Sequence, residues 1–341
     1  MIGSMFGTEL PIVQAPMAGV QGSGLAIAVS EAGGLGSLPC AMLSADGIRE
    51  ELARIRAHTS KPFNVNFFCH TQPAADDARE AAWRTLLAPY YAELGIETPQ
   101  TGGPLRLPFD SAAAAIIAEL RPPVVSFHFG LPSDALLGHV RTAGARIIAS
   151  ATTVEEARWL EQRGVDAIIA QGVEAGGHRG MFLSEDVTTQ VGTFALVPQV
   201  VRAVSVPVIA AGGIADAAGV RAALALGAIA AQVGTAYLLC PETTTTPLHR
   251  AALASERARH TAVTNVFSGR PARSIVNRIV RELGPMRSDI PRFPLASGGV
   301  MPLRAAAEAQ GRDDFSPLWS GQNASGCRAI PAGELTRDLA R

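Results

Sequence analysis

The chain predicts an α/β protein built on a parallel (β/α)8 TIM barrel, with a helical insertion and a C-terminal extension. Three observations carry that expectation. Eight short apolar runs alternate with helical patterns along the 341 residues. Several runs lack the polar alternation of a half-exposed strand, as strands covered on both faces do. A unit of helix end, glycine and apolar strand recurs at Glu31-Ala32-Gly33, Thr142-Ala143-Gly144, Gln162-Arg163-Gly164 and Ala225-Leu226-Gly227, which is the repeat of such a barrel. A dinucleotide-binding fold alternates similarly, but no G-x-G-x-x-G opens a helix after any strand.

In order, the expected strands are Pro11–Met17, Leu35–Cys40, Phe63–Cys69, Val124–Phe129, Arg146–Ala151, Ala167–Gln171, Pro207–Gly212 and Ala230–Leu238. Between them, Thr153 with Glu156 forms a capping box, Asp216 caps a helix, and Gly164 and Gly227 stand where helices stop. The apolar stretch Ala222–Leu239 is long enough to raise a membrane span, but Gly227, Gln232, Gly234 and Thr235 break it into helix, turn and strand. The barrel is assigned to residues 1–69 and 124–263. Residues 70–123 read as an inserted lid: a helical stretch Ala74–Leu94, a Pro/Gly-rich patch Thr98–Pro108 and a helix Ser111–Leu120. Residues 264–341 read as an ordered tail with helices at Ser274–Leu283 and near Pro302–Gln310, placed to cover the barrel mouth.

Charge and composition exclude several classes of function. A net charge of −1 with interspersed charges leaves no footprint for nucleic acid or an anionic membrane, so a small-molecule partner is expected. The N-terminus has no basic segment followed by an apolar core and cleavage site, which makes the cytoplasm the default. Cys40, Cys69, Cys240 and Cys327 are widely spaced, without the pattern of a zinc site or disulfide framework. The sole lysine, Lys61, precedes a strand rather than ending one, which disfavours a Schiff-base aldolase.

In a parallel barrel the C-terminal strand ends converge on one mouth. The sixth strand breaks there into Gln171-Gly172-Val173-Glu174-Ala175-Gly176-Gly177-His178-Arg179-Gly180, a glycine-rich loop carrying one imidazole. It is either a proton-transfer site or a solvated loop. Gly212, Gly213, Gly234 and Thr235 follow strands seven and eight, where free backbone N–H groups bind phosphate in many barrels, though they also permit tight packing. No Walker sequence is present, so a phosphate-bearing cofactor fits better than a nucleoside triphosphate. Asn66 and Gln171 are neutral amides suited to the edge of a flat heterocycle, or to capping backbone groups. Glu174 is the one carboxylate near the loop, and no metal-ligand cluster accompanies it. His128 fits either an active-site wall or a satisfied core position. Cys69 and His70 point to opposite strand faces and form no catalytic pair. His58, His139, His249 and His260 fall on helices or their ends and are expected at the surface.

These segments match a known set. Gln14-Ala15-Pro16-Met17-Ala18-Gly19, Asn64-Val65-Asn66-Phe67-Phe68, Ala170-Gln171-Gly172-Val173-Glu174-Ala175-Gly176-Gly177-His178, Ala210-Ala211-Gly212-Gly213-Ile214 and Gln232-Val233-Gly234-Thr235 together resemble the nitronate monooxygenase family, formerly 2-nitropropane dioxygenase. Ser126-Phe127-His128-Phe129-Gly130, Phe267-Ser268-Gly269-Arg270-Pro271-Ala272-Arg273 and Leu318-Trp319-Ser320-Gly321-Gln322 resemble its bacterial class I branch. The resemblance implies a flavoprotein that holds FMN noncovalently, uses neither metal nor NAD(P)H, and works as a monomer or homodimer. Its implied activity is oxidation of alkyl nitronates such as propionate 3-nitronate by O2 to a carbonyl compound and nitrite. It further implies that Ala15, Pro16, Met17 and Ala18 run along the flavin, with Asn66 and Gln171 at its polar edge. Gly176, Gly177, Gly212, Gly213, Gln232, Val233, Gly234 and Thr235 would surround the ribityl phosphate end. His178 would be the catalytic base or substrate partner, and His128, Trp319 and Gln322 would line the substrate side. The tail departs from the family in that Leu295-Ala296-Ser297-Gly298-Gly299 offers no tyrosine or lysine to a substrate carboxylate, leaving Arg270, Arg273 or Arg304 as replacements. Two rivals share the glycine loops: an FMN-dependent NAD(P)H reductase acting on enoyl-acyl-carrier protein or quinone, and a non-enzymatic flavin-binding protein. IMP dehydrogenase relatives need a cysteine on the sixth loop, where this chain has His178.

Overall fold

The computed structural model describes residues 2–98 and 106–341. Strands β1 (Ile12–Gln14), β2 (Gly36–Pro39), β3 (Phe63–Phe68), β4 (Val124–His128), β5 (Arg146–Ala151) and β6 (Ala167–Gln171) are followed by a two-residue strand β7 (Gly177–His178). Then come β8 (Val208–Ala211), β9 (Ala230–Val233), β10 (Thr261–Thr264) and β11 (Ala272–Ile275). Eight of them form one parallel sheet in the order β1-β9-β8-β6-β5-β4-β3-β2. The sheet closes because Leu35 N–H donates to the Ile12 carbonyl and Gln14 N–H to the Leu35 carbonyl, both at 2.9 Å. The expected TIM barrel is therefore present.

Sequence punctuation explains the repeats. Gly33, Gly144, Gly164 and Gly227 all have φ between 71° and 100°, the left-handed conformation that ends a helix and that glycine adopts without strain. Thr153 Oγ1 accepts from Glu156 N at 3.2 Å, and Asp216 accepts from Gly219 N at 2.8 Å. The Glu156 carboxylate is fully buried, accepting from Thr152 N and Oγ1 and from Phe182 N, so it ties β5's exit to the loop beyond β7.

The barrel interior is filled by Val13, Leu35, Val124, Ile148, Ile169 and Ile209, with Phe6 beside them. A larger apolar layer lies between sheet and helices. Ser111–Leu120 packs into that layer against the ring helices Ala45–His58 and Asp134–Thr142. Ala332–Leu339 packs on Ser23–Glu31 and Ala217–Ala225, with Thr336 Oγ1 2.8 Å from the buried Tyr237 hydroxyl. Parts of both the insertion and the tail thus complete the helical ring.

The remainder forms a separate apolar cluster. Helix Asp77–Leu94 packs along Ala296–Ala309, with Trp83 Nε1 donating to the Ala296 carbonyl (3.0 Å) and Tyr91 OH to the Gly299 carbonyl (2.7 Å). A Cβ on Gly299 would sit 2.8 Å from Leu87 Cδ1, so this approach requires glycine. Three expected boundaries change. Ala272–Ile275 is a strand rather than the start of a helix, the helix beginning at Arg278, because β11 pairs with β10 and β7. β9 ends at Val233 and passes into a 3-10 turn, and the helix expected near Pro302 begins at Ala296. Most of the Thr98–Pro108 patch, residues 99–105, lies outside the described residues. No helix among the described residues is long and apolar enough to cross a membrane.

Candidate active site

The C-terminal strand ends open into a cavity of about 200 Å³. Its wall gathers Ala15, Pro16, Met17 and Ala18 after β1, Asn66, His128, Gln171, Gly176, Gly177 and His178, Gly212 and Gly213 after β8, Gln232, Gly234, Thr235 and, from the tail, Trp319. Two sequence candidates fall elsewhere. Val233 is buried between sheet and helices, on the strand face opposite Gln232. The Gln322 side chain is exposed, and its backbone N–H donates to the Glu174 carbonyl; Gly321 and Asn323 line the cavity instead.

His178 is held by a contact that chain order conceals. Strand β7 pairs antiparallel with β11, setting His178 opposite Ala272 and bringing the tail over the sixth-strand loop. His178 Nε2 lies 2.8 Å from Ser268 Oγ. The Ser268 hydroxyl in turn donates to the Arg270 carbonyl at 3.4 Å. Ser268 Oγ also accepts from Arg270 N at 3.4 Å, so the hydroxyl holds the ring at Nε2 while Nδ1 makes no hydrogen bond among the described residues. Phe293 and Trp319 each stand 5.3 Å from the imidazole, ring centre to ring centre, and Phe129 stands at 5.9 Å. Burial, and then the neighbouring cation Arg106, hold the His178 pKa well below 6.5, so the ring is neutral.

The His178 carbonyl accepts from both Gln171 Nε2 (3.1 Å) and His128 Nε2 (3.2 Å). A carbonyl only accepts, so His128 carries its proton on Nε2 and accepts at Nδ1 from Ser150 Oγ (3.0 Å). Burial pushes its pKa down to about 3. Gln171 Oε1 accepts from Gly180 N at 2.8 Å. Both side chains therefore position His178 while also lining the cavity.

The opposite wall differs in chemistry. After β8 and β9, the backbone N–H groups of Gly213, Gly234 and Thr235 meet no acceptor among the described residues. Thr235 Oγ1 accepts from Gly321 N (2.9 Å), leaving its own proton to donate. Gly213 has φ of 71°, a turn that lets consecutive N–H groups face one ligand. Gly176 is required for another reason: its Cβ would lie 2.5 Å from Gly321 N, so the tail could not close over the loop. The Glu174 carboxylate accepts from Thr193 N and Oγ1 at 2.8–2.9 Å, fixing the loop to the start of helix Thr193–Ala203.

The sequence reading missed Arg106 and Arg179, while Arg270, Arg273 and Arg304, named there as replacements toward a substrate carboxylate, do not line this cavity. Arg179 is fully buried, donating to Gly172 O (2.8 Å), Gln171 O (2.7 Å) and Gln190 Oε1 (2.9 Å), and burial lowers its pKa to about 9. Arg270 lies 4.0 Å from the Phe129 ring centre and donates to the Met181 carbonyl. Arg273 donates to Val173 O and Thr261 Oγ1, whereas Arg304 pairs with Glu308 at 2.7 Å. Arg106, Arg179, Arg270 and Arg273 form no ion pair among the described residues; of the four only Arg106 lines the cavity, and the Glu156 and Glu174 carboxylates lie near the others. His249, expected at the surface, is buried at the cavity wall because Trp319 of the tail covers its helix. His58, His139 and His260 are exposed.

These buried neutral histidines make stability acid-sensitive. The pKa values of His70 and His249 fall to about 4 and that of His128 to about 3, all mainly through burial, against 6.5 for a free imidazole. Between pH 7.5 and 5 the unfolded chain takes up protons that the folded chain refuses, so stability drops as pH falls through 6.5. Each such group costs about 2 kcal/mol at pH 5. Urea unfolding is expected to show a loss of several kcal/mol across this window, and equal midpoints at the two pH values would contradict it.

The closed parallel sheet with a cavity at its C-terminal strand ends defines a (β/α)8 barrel with its candidate site at that mouth. The comparisons narrow the class. Residues 1–341 match the family model described as nitronate monooxygenase. The chain is 46% identical over 340 residues to the nitronate monooxygenase of Paraburkholderia phytofirmans, spanning 99% of this chain and 93% of that protein. It is 45% identical over 338 residues to that of Pseudomonas aeruginosa, spanning 98% and 96%. The crystal structure of nitroalkane oxidase from Streptomyces ansochromogenes superposes with a TM-score of 0.90 at 42% identity, covering 99% of this chain and 96% of that one. The chain belongs to the nitronate monooxygenase family and is an enzyme.

Proposed function

We propose that the chain binds FMN noncovalently and oxidises alkyl nitronates with O2 to a carbonyl compound and nitrite, with propionate 3-nitronate among its candidate substrates. Overall, two nitronate anions and one O2 balance two carbonyl groups and two nitrite ions. The observation that carries the reading is a neutral His178 whose Nδ1 has no hydrogen-bond partner among the described residues, in one cavity with Arg106, which forms no ion pair among them, and with an open row of backbone donors.

The residues present fit the cofactor. The N–H groups of Gly213, Gly234 and Thr235 and the Thr235 hydroxyl suit a phosphate monoester. Asn66 donates its amide to Ser126 Oγ (2.9 Å) and stands at the cavity wall, and the buried Gln232 Oε1 has no partner among the described residues. Bound FMN would supply the electron transfer and O2 chemistry. The chain's own residues orient and shield. Gln171 and His128 fix the His178 backbone, Ser268 fixes its ring, and the aromatic side chains around it exclude water. Arg106 and Arg270 favour the nitronate anion. In this reading the barrel residues 1–69 and 124–263 hold the cofactor, with helices Ser111–Leu120 and Ala332–Leu339 completing its ring, while the helical cluster of Asp77–Leu94 and Ala296–Ala309 and the segment around Trp319 cover the mouth.

The test is a visible spectrum followed by nitrite measurement with propyl nitronate in air. A yellow protein that releases nitrite supports the proposal. Rapid anaerobic bleaching by NADH points instead to an NAD(P)H reductase, and a yellow protein inert to both points to a binding protein.

A further inference from the structure

A second cavity of about 530 Å³ adjoins the first, and Met42, Phe68, Arg106 and Trp319 line both. Ser268, which holds His178, lines the second cavity as well. A ligand reacting at His178 can therefore extend through this junction without crossing protein. What the second cavity offers such a ligand is apolar surface. Its walls include Ile48, Phe109, Ile116, Val300 and Phe315.

Its polar side chains are engaged within the protein. Ser44 Oγ accepts from Gly47 N (3.1 Å), Asp110 from Ala113 N (2.9 Å), Ser297 Oγ donates to Pro294 O (2.6 Å), and Arg304 pairs with Glu308. Arg106, at the junction, is the one lining cation without an ion pair among the described residues. The rim is equally telling. Met42, Leu43, Leu107 and Met301 line this cavity while being 36–64% exposed. A contiguous exposed apolar rim marks a ligand or interaction site rather than ordinary surface.

We propose that the second cavity is a chain subsite, so that the preferred substrate is a nitronate carrying an extended, uncharged alkyl chain, its single negative charge held at the Arg106 junction. This rests on the nitronate-oxidising function proposed above and goes beyond it. A carboxylate carried as a second negative charge on the chain would lie among satisfied polar groups and apolar walls, where nothing compensates its lost hydration. A methylene placed there gains up to about fourfold in binding.

The experiment compares kcat/KM for nitrite release from ethyl, butyl, hexyl and octyl nitronates and from propionate 3-nitronate. In parallel, binding of the unreactive n-alkyl carboxylates acetate to octanoate is followed by tryptophan fluorescence. The expected result is a rise on the order of 10²-fold from ethyl to octyl nitronate, a matching rise in carboxylate affinity, and weaker use of propionate 3-nitronate than of butyl nitronate. Ala112→Trp fills the cavity and Met301→Asp places a charge in it. Both positions are exposed, so folding is not at stake. Each variant is expected to flatten both chain-length series. Nitrite release that is flat with chain length overturns the inference while leaving the proposed function standing. Carboxylate affinity that rises with length while no nitronate yields nitrite keeps the subsite and overturns the function. A slope unchanged in both variants assigns the chain to another surface and overturns the inference.

Discussion

His178→Ala is expected to lower kcat/KM for a neutral nitroalkane by about 10²-fold or more, and for the corresponding preformed nitronate by only about tenfold. The difference follows from what each substrate asks of the imidazole. A nitroalkane must lose a carbon-bound proton, and a positioned histidine base is worth roughly 10²–10⁴-fold. A nitronate has already lost it and needs only orientation and a polar partner. His178 has Nε2 engaged by Ser268 and Nδ1 without a partner among the described residues, so one ring nitrogen faces a ligand while the other is held. Its pKa, held well below 6.5 by burial and the nearby arginines, makes it a weak one. The wild-type enzyme is therefore expected to favour nitronates throughout, with no loss of activity from His178 protonation on going from pH 8 to 6. Initial rates of nitrite release for both substrate forms, taken before they interconvert, provide the measurement. Equal losses for the two forms would remove proton abstraction from the role of His178.

Arg179→Met is expected to destabilise the fold by about 4 kcal/mol, although residue 179 contributes no side chain to the cavity wall. The guanidinium caps the carbonyls of Gln171 and Gly172, where β6 ends, and reaches Gln190 across the loop. Methionine fills similar volume but takes a donor from the carbonyl of Gln171, from the part-buried Gln190 Oε1 and from the carbonyl of Gly172, which keeps only the Ala175 N–H (3.1 Å); each lost partner costs about 1–3 kcal/mol. Because Gln171 holds the His178 carbonyl, the loop is expected to loosen with the strand end, so that cofactor retention falls together with stability. Urea unfolding and the flavin content of the purified variant report the two effects. A loss below about 1 kcal/mol would mean that water replaces the guanidinium.

Local chemistry made much of the barrel legible. Glycines at 33, 144, 164 and 227 end helices because only the left-handed backbone lets the chain turn into the next strand there. Apolar runs without alternation mark strands covered on both faces, and strand ends in a parallel barrel share one mouth. Residues as distant as Ala15, Asn66, Gln171, Gly213 and Thr235 could thus be assigned to one site from order and spacing. Order alone does not give the face: Val233 lies beside the mouth in sequence but alternates away from Gln232 to face the helices.

The tail was a different problem. Strand β11 is four residues long and β7 two, too short for periodicity to distinguish them from loop or helix, and their pairing joins segments some ninety residues apart. That pairing decides which serine orients His178, why His249 is buried, and why Gly176 must be glycine. Charge balance was hidden for the same reason. An arginine in a sequence is presumed solvated, and only the three-dimensional packing shows Arg179 enclosed, Arg270 laid over Phe129 and Arg106 lining the cavity without an ion pair among the described residues. The sequence by itself determined the barrel, because that follows from backbone preferences repeated in local windows, and it pointed to the family through the segments that resemble it. Only the tertiary structure decided which residues hold His178, the place of Arg106 at the mouth and the second cavity, because these depend on long-range contacts and on which polar groups have already satisfied one another.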